Sequence, residues 1–215
     1  MQAWHLRMPP RIRHRVAVFT ALDEPIPMLL LDKLLVVDLE CTCWENEAPG
    51  NDEKQDIIEI GVCLVDLATG LIEDADGMIV RPRRSQVSPF CEKLTKISQA
   101  MVDHGLEFET ALAQLQARFG AAQRPWASWG NFDRVCMQGQ CRDFGVPYPF
   151  SGDHYNLKTL HALRHGLTKA IGLYPAVKRA GLVWEGQHHR GVDDARNTAR
   201  LACTLLGPIP VKASD

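Results

Sequence analysis

The sequence predicts an α/β fold, a mixed central sheet with helices on both faces, and three patterns predict it. Strand-like apolar runs come first, at Leu34–Val37, Ile57–Val65 and Leu71–Val80, the last two separated by an Asp66–Gly70 turn. Helical spacing takes over between Phe90 and Gly120, where Leu94, Ile97 and Met101, then Phe108, Leu112, Leu115 and Phe119, recur every three or four residues. One further strand-like segment, Trp126–Trp129, is embedded among helical segments at roughly 132–144, 156–165, 172–180 and 192–206. Three consecutive strands with short connections form an antiparallel meander. A strand that returns after a helical excursion is expected to pair in parallel.

The 215 residues suit one substantial domain. The core is expected over 31–207, preceded by an appendage at 1–30 and followed by a short tail at 208–215. The appendage scatters Arg7, Arg11, Arg13 and Arg15 among prolines without a helical or strand period, the pattern of either a poorly ordered tail or a basic arm that helps to hold nucleic acid. Neither an internal repeat nor a low-complexity tract is present.

With 24 Lys and Arg against 26 Asp and Glu, the net charge of −2 supplies no global field for an extended nucleic acid, so any phosphate binding has to be local. A short end held in a pocket fits this balance. The seven cysteines, an odd number set in apolar segments, do not resemble a disulfide framework and point to a reducing cytoplasm. The apolar stretch Met28–Val37 is interrupted by Asp32 and Lys33, and no membrane span or secretion signal is expected.

Four acids and a histidine carry the chemistry. In Val36-Val37-Asp38-Leu39-Glu40, residues two apart project from one strand face, so Asp38 and Glu40 emerge side by side. Two carboxylates that close repel unless a cation lies between them or one is protonated, which makes the pair a metal-binding edge. Alone, a D-x-E is equally a strand ending in solvated acids. Asp133 opens the helix after Gly130-Asn131, with Asn131 able to cap it. It shares a face with Cys136, Met137, Cys141 and Phe144, so its carboxylate is expected to point toward the sheet. In His189-Arg190-Gly191-Val192-Asp193-Asp194, helical phase aligns Asp194 with Thr198, Leu201, Ala202 and Leu205 on the inner face. The same phase leaves Asp193 with Arg196 and Arg200 outside, as a cap or surface ion pair. His189 then overhangs the site from the incoming loop, with His188 as its rival.

The joint order of these pieces resembles the DEDDh, or DnaQ-like, 3′-to-5′ exonuclease superfamily, and within it the Eri-type exoribonuclease group that trims histone mRNA and small RNAs. The matching stretches are Val37–Cys43, Asp56–Gly61, Phe90–Ile97, Trp129–Asp133 and His189–Asp194, which together cover about 34–206. The resemblance implies an RNase H-like fold, metal-ligand roles for Asp38, Glu40, Asp133 and Asp194, and a general-base role for His189. It also implies that Phe90 and Leu94 wall a pocket for the terminal base, and that the main chain near Cys41 and Thr42 meets the terminal sugar. Two departures stand out: Leu39 replaces an aromatic often found between the first two acids, and Lys96 stands where a glycine is frequent.

Oxygen-only ligands select hard ions, so two Mg²⁺ or Mn²⁺ are expected. The neutral imidazole of His189 would take the proton from the attacking water, with activity falling below about pH 6.5. The expected partner is nucleic acid, at the 3′ end of single-stranded RNA or a short overhang, with nucleoside 5′-monophosphates released. A DNA 3′ exonuclease of the same mechanism and a non-catalytic nucleic-acid-binding module are the alternatives. Glu59 is a fifth acid, expected to face outward or to be locally paired, without a catalytic role. Arg164, Lys158, Lys169, Lys178 and Arg190 are either a local phosphate path or solvated helix faces. A zinc site at Cys41, Cys43, Cys136 and Cys141 is disfavoured, because their spacing lacks paired C-x-x-C or Cys/His elements.

Overall fold

The structure, a computed structural model, describes residues 30–46 and 54–207. Apart from Leu30, the appendage expected at 1–30 and the tail expected at 208–215 lie outside the described residues. The strands are β1 (Lys33–Cys41), β2 (Ile57–Asp66), β3 (Ile72–Ile79), β4 (Trp126–Ser128) and β5 (His154–Asn156), in the sheet order β3-β2-β1-β4-β5. The first three form the expected antiparallel meander, while β4 pairs in parallel with β1 and β5 with β4. The helices are α1 (Pro89–Thr95), α2 (Gln99–Asp103), α3 (Phe108–Phe119), α4 (Phe132–Phe144), α5 (Leu157–Arg164), α6 (Leu173–Arg179) and α7 (Gly191–Leu206).

The alternation of β1 assigns its side chains to two cores. Leu35, Val37, Leu39 and Cys41 pack with Phe108, Leu112, Leu115 and Phe119 of α3 and with Met137 and Cys141 of α4. Leu34 and Val36 pack instead with Ala195, Ala199 and Ala202 of α7 and Leu157 of α5. Asp38 and Glu40 continue this second series, so strand period alone sends both carboxylates to the face covered by α7. Helices on both faces keep the central strand dry, and each fully buried Leu or Val on it contributes roughly 1.5–3 kcal/mol.

Three parts of the sequence reading are corrected. The three-residue β5 was not anticipated: His154-Tyr155-Asn156 is too short and too polar to show strand alternation, and parallel pairing to β4 creates it. The helical stretch from Phe90 to Gly120 is three helices, because Ser88 and Ser98 each accept a main-chain N–H as caps and Lys96 ends α1 in a left-handed conformation, φ 61°. That conformation is the physical reason a glycine suits position 96. Asn131 occupies the cap position of α4 but makes no side-chain cap bond; its main-chain carbonyl accepts from the N–H of Val135 at 3.0 Å.

The docking of α7 depends on two missing side chains. Gly61 of β2 is the cross-strand partner of Asp38 on one side and of Gly77 of β3 on the other. A Cβ on Gly61 would fall 1.9 Å from the carbonyl carbon of Gly191, and one on Gly77 would fall 2.6 Å from Glu59 Oε1 and 3.1 Å from the Val192 side chain. The first turn of α7 therefore rests directly on the sheet. Gly61→Ala is expected to cost at least about 1–3 kcal/mol, the range for overpacking a filled interior, in chemical denaturation. Wild-type stability in that variant would show that α7 is not seated on this strip.

Candidate active site

The C-terminal end of β1 and the first turn of α7 meet at three carboxylates. One oxygen each from Asp38, Glu40 and Asp194 lies within 4.8 Å of the others. Helical phase correctly separated the two adjacent acids of α7. Asp194 is buried in the cluster, whereas Asp193 turns outward, with its Oδ1 3.5 Å from Arg196 and its Oδ2 accepting the N–H of Gln187 at 2.9 Å. Asp133 is held beside the three-acid set rather than within it. Its Oδ1 accepts the main-chain N–H of Leu39 at 3.0 Å, which ties the start of α4 to β1 between the two β1 acids.

Glu40, Asp133 and Asp194 are buried and Asp38 is half-buried. Removal from water is the largest influence on all four, and it pushes Glu40 up to about 8 and Asp194 up to about 7. Asp38 is driven well above the usual carboxylate range by desolvation and then by the charges of Asp133, Glu40 and Asp194. Desolvation also raises Asp133, while the Leu39 N–H opposes the rise. Asp194 Oδ1 is buried with no hydrogen-bond partner. An orphaned carboxylate oxygen among mutually repelling acids has the chemistry of a hard-cation site, since such an ion offsets both the repulsion and the lost hydration.

The loop before α7 brings both histidines to this edge. Ring nitrogens of His188 and His189 and an oxygen of Asp194 lie within 4.8 Å of one another. His189 adopts a left-handed backbone, φ 62°, uncommon for a residue with a side chain. His188 stacks on Trp184 with centroids 4.7 Å apart and planes at 14°. Burial lowers both imidazoles below their ordinary 6.5, and His188 adds to the effect on His189, so both are neutral at physiological pH.

His188 and His189 also form one wall of a groove of about 680 Å³ whose other wall is Phe90, Lys93, Leu94 and Lys96. The position of α1 is set by Ser88, whose Oγ donates to the Cys43 carbonyl at 2.6 Å and caps the helix. The segment before it is anchored by the fully buried Asp56, which accepts from the main-chain N–H groups of Arg83 and Arg84 and from Arg84 Nε. Cys41 and Thr42 are buried and do not line this groove. The Thr42 hydroxyl accepts the N–H of Asp56 and bonds Ser85, and its own N–H donates to the Asp56 carbonyl.

Glu59 is the acid whose surroundings the sequence reading misjudged. It does not face outward. It is fully buried and paired with Arg190 and Gly191, 131 and 132 residues away. This engagement also removes Arg190 from the set of basic side chains free to track phosphates. The available signal was that Glu59 is the single charged residue in the run Ile57–Val65. The seven cysteines are all free thiols, Cys41 and Cys136 have their sulfurs 3.1 Å apart, and no cysteine enters a metal-competent cluster among the described residues.

Comparison with known proteins agrees with this geometry. The RNase_T family model, described as exonuclease, matches residues 35–202. The chain belongs to the RNase_T exonuclease family. It is 30% identical over 201 residues to human ERI1 exoribonuclease 2, an alignment covering 82% of the chain but 29% of that protein. It is 27% identical over 194 residues to the Drosophila melanogaster 3′-5′ exonuclease Snipper, covering 80% of the chain and 69% of the fly protein. The nuclease domain of 3′hExo, a DEDDh family member bound to rAMP, superimposes with a TM-score of 0.73 at 27% identity over 83% of this chain and 94% of that one. The RNase H-like fold and the DEDDh resemblance are thereby established, and with them the divalent-metal dependence of the family, which the acid cluster suits.

The raised acids make stability depend on pH and metal in a defined direction. Their folded pKa values lie above the unfolded ones, so the folded state binds more protons between about pH 4 and 8, and stability falls as pH rises through that window. Without metal, Tm is expected to decline from pH 5 to pH 8. Mn²⁺ should raise Tm more at pH 8 than at pH 6, with a gain of about 2.7 kcal/mol at a hundredfold excess over Kd. A Tm indifferent to both pH and Mn²⁺ would contradict the electrostatic account.

Proposed function

We propose that this protein is a 3′-to-5′ exoribonuclease that removes nucleoside 5′-monophosphates from the 3′ ends of single-stranded RNA or short overhangs. The convergence of the Asp38, Glu40 and Asp194 carboxylates, with Asp194 also beside the two histidines that line a groove with Phe90, carries the proposal. The names of the relatives, an exoribonuclease and a 3′-5′ exonuclease, and the rAMP bound to the 3′hExo domain support RNA as the substrate class. The seven free thiols support a reducing cytoplasm as its location, and among the described residues no helix is long and apolar enough to cross a membrane.

Asp38, Glu40, Asp133 and Asp194 would hold two Mg²⁺ or Mn²⁺. When bound, such ions supply Lewis-acid activation of the attacking water and stabilisation of the leaving 3′ oxygen. Asp133 accepts the Leu39 N–H on Oδ1, so Oδ2 is the atom that would reach a cation. His189, neutral because burial disfavours its charge, accepts the proton of the attacking water on an unprotonated ring nitrogen. Phe90 and Leu94 provide the apolar wall for the terminal base. Cys41 and Thr42, whose side chains are buried, have only main chain to offer the sugar.

The decisive experiment is a time course on 5′-labelled RNA and DNA of one sequence with Mg²⁺, Mn²⁺ or EDTA. Wild type is expected to give a metal-dependent ladder shortening from the 3′ end of RNA, and Asp38→Ala to be at least about 100-fold slower, the scale for losing one electrostatic stabiliser. Equal cleavage of both strands would replace the RNA assignment with a general 3′ exonuclease. No cleavage by folded protein would leave the nucleic-acid-binding module.

The same assay separates neighbouring residues. Asp194→Asn should abolish activity while Asp193→Asn retains it, and His189→Ala should lower kcat by about 10²–10⁴ while His188→Ala keeps most of it. Activity should rise with pH through a midpoint below 6.5, because the lowered imidazole must lose its proton to serve as base. A larger loss in His188→Ala than in His189→Ala would transfer the base role to His188.

A further inference from the structure

Glu59 and Arg190 form a part-buried ion pair one strand away from the acid cluster, and neither has a place in the chemistry above. Glu59 lies directly opposite Glu40 in the β1–β2 register, so its side chain rises on the same sheet face. It is fully buried. Glu59 Oε2 accepts the N–H of Gly191 at 2.9 Å and Arg190 Nε at 3.1 Å, and Oε1 accepts a second guanidinium nitrogen of Arg190 at 3.3 Å. Gly77 makes room for this arrangement, since a Cβ there would stand 2.6 Å from Glu59 Oε1. Every acceptor bond of the carboxylate thus goes to two consecutive residues, the cap and the first residue of α7, immediately after His189.

We propose that Glu59 is a positioning residue that seats the start of α7 and keeps the Arg190 guanidinium off the catalytic carboxylates, leaving their oxygens to divalent ions. The second half rests on the metal-binding reading of Asp38, Glu40 and Asp194. Arg190 is charged at every working pH, carries five donors, and follows directly on the loop that overhangs Asp194. Its partner Glu59 is the cross-strand neighbour of Glu40, which places the guanidinium beside the acid cluster. Freed from Glu59, it would lie one strand spacing from Glu40, which stands directly opposite Glu59 in the register, and an internal guanidinium drawn to Glu40 competes with divalent cations for that ligand.

The test is Mn²⁺ affinity, measured without substrate by calorimetry or by the free-ion electron paramagnetic resonance signal, on wild type, Glu59→Gln, Arg190→Gln and the double variant. Glu59→Gln is expected to weaken Mn²⁺ binding about 10- to 100-fold, the range for losing an outer-shell partner. Arg190→Gln should bind as tightly as wild type or tighter, and adding it to Glu59→Gln should recover most of the loss. A purely structural pair predicts instead that the double variant is as poor as Glu59→Gln, and that outcome overturns the proposal. Should Glu59→Gln fail to fold, the Arg190→Gln arm decides alone, because weaker Mn²⁺ binding there also overturns it. Wild type that binds no Mn²⁺ removes the metal reading and this inference together, whereas wild type and Glu59→Gln binding equally well removes this inference only.

Discussion

Four carboxyl groups gathered out of water at the end of one strand are the constraint around which the rest of this molecule is arranged. The gathering opposes folding, because burial and mutual repulsion both penalise the charged forms, and the raised pKa values of Asp38, Glu40 and Asp194 register the penalty. The fold supplies the opposing free energy elsewhere. β1 is sandwiched between a core shared with α3 and α4 and a core shared with α7 and α5, and its alternating apolar residues fix the face on which the acids emerge. A one-residue slip of β1 would send Asp38 and Glu40 into the α3 core, so the register that buries Leu35, Val37 and Leu39 also specifies the site.

The site is completed by elements brought in from three directions. α7 supplies Asp194 because Gly61 and Gly77 leave a bare strip on which its first turn lies and because Glu59 captures the N–H of Gly191. α4 supplies Asp133 through the bond to the Leu39 N–H. α1 supplies Phe90 and Leu94 because Ser88 ties it to Cys43 and the buried Asp56 holds the chain leading into it. The hydrogen-bonded tethers end on β1, on β2 or on residues that flank them, so the groove wall, the acids and the histidine loop share one rigid reference. A groove built this way suits a chain end whose base and phosphate must be held in fixed relation.

Much of this was legible before the structure. The meander, the parallel return of β4, the helices on both faces and the inward Asp194 follow from periodicities of two and 3.6. Those periodicities survive in this sequence because the elements are long and half-buried. β5 was not legible, since a three-residue polar strand carries no period, and neither were the breaks at Ser88, Lys96 and Ser98 that divide a helical stretch into three. Glu59 was the instructive miss: its partners lie more than 130 residues away, and a lone acid in an apolar run looks the same whether it faces solvent or is buried against an arginine.

The order of the residues thus determined the strand faces, the identity of the inward acid on α7 and the family, because each depends on local period or contiguous motif. Only the tertiary structure decided that Asp38, Glu40 and Asp194 form one close set with Asp133 bonded beside it, and that Arg190 pairs with Glu59. It also decided that both histidines reach Asp194. The physical reason is the same in each case. Contacts across β1, β2, α4 and α7 are fixed by packing distances and by competition among buried donors and acceptors, which have no counterpart in the spacing of residues along the chain.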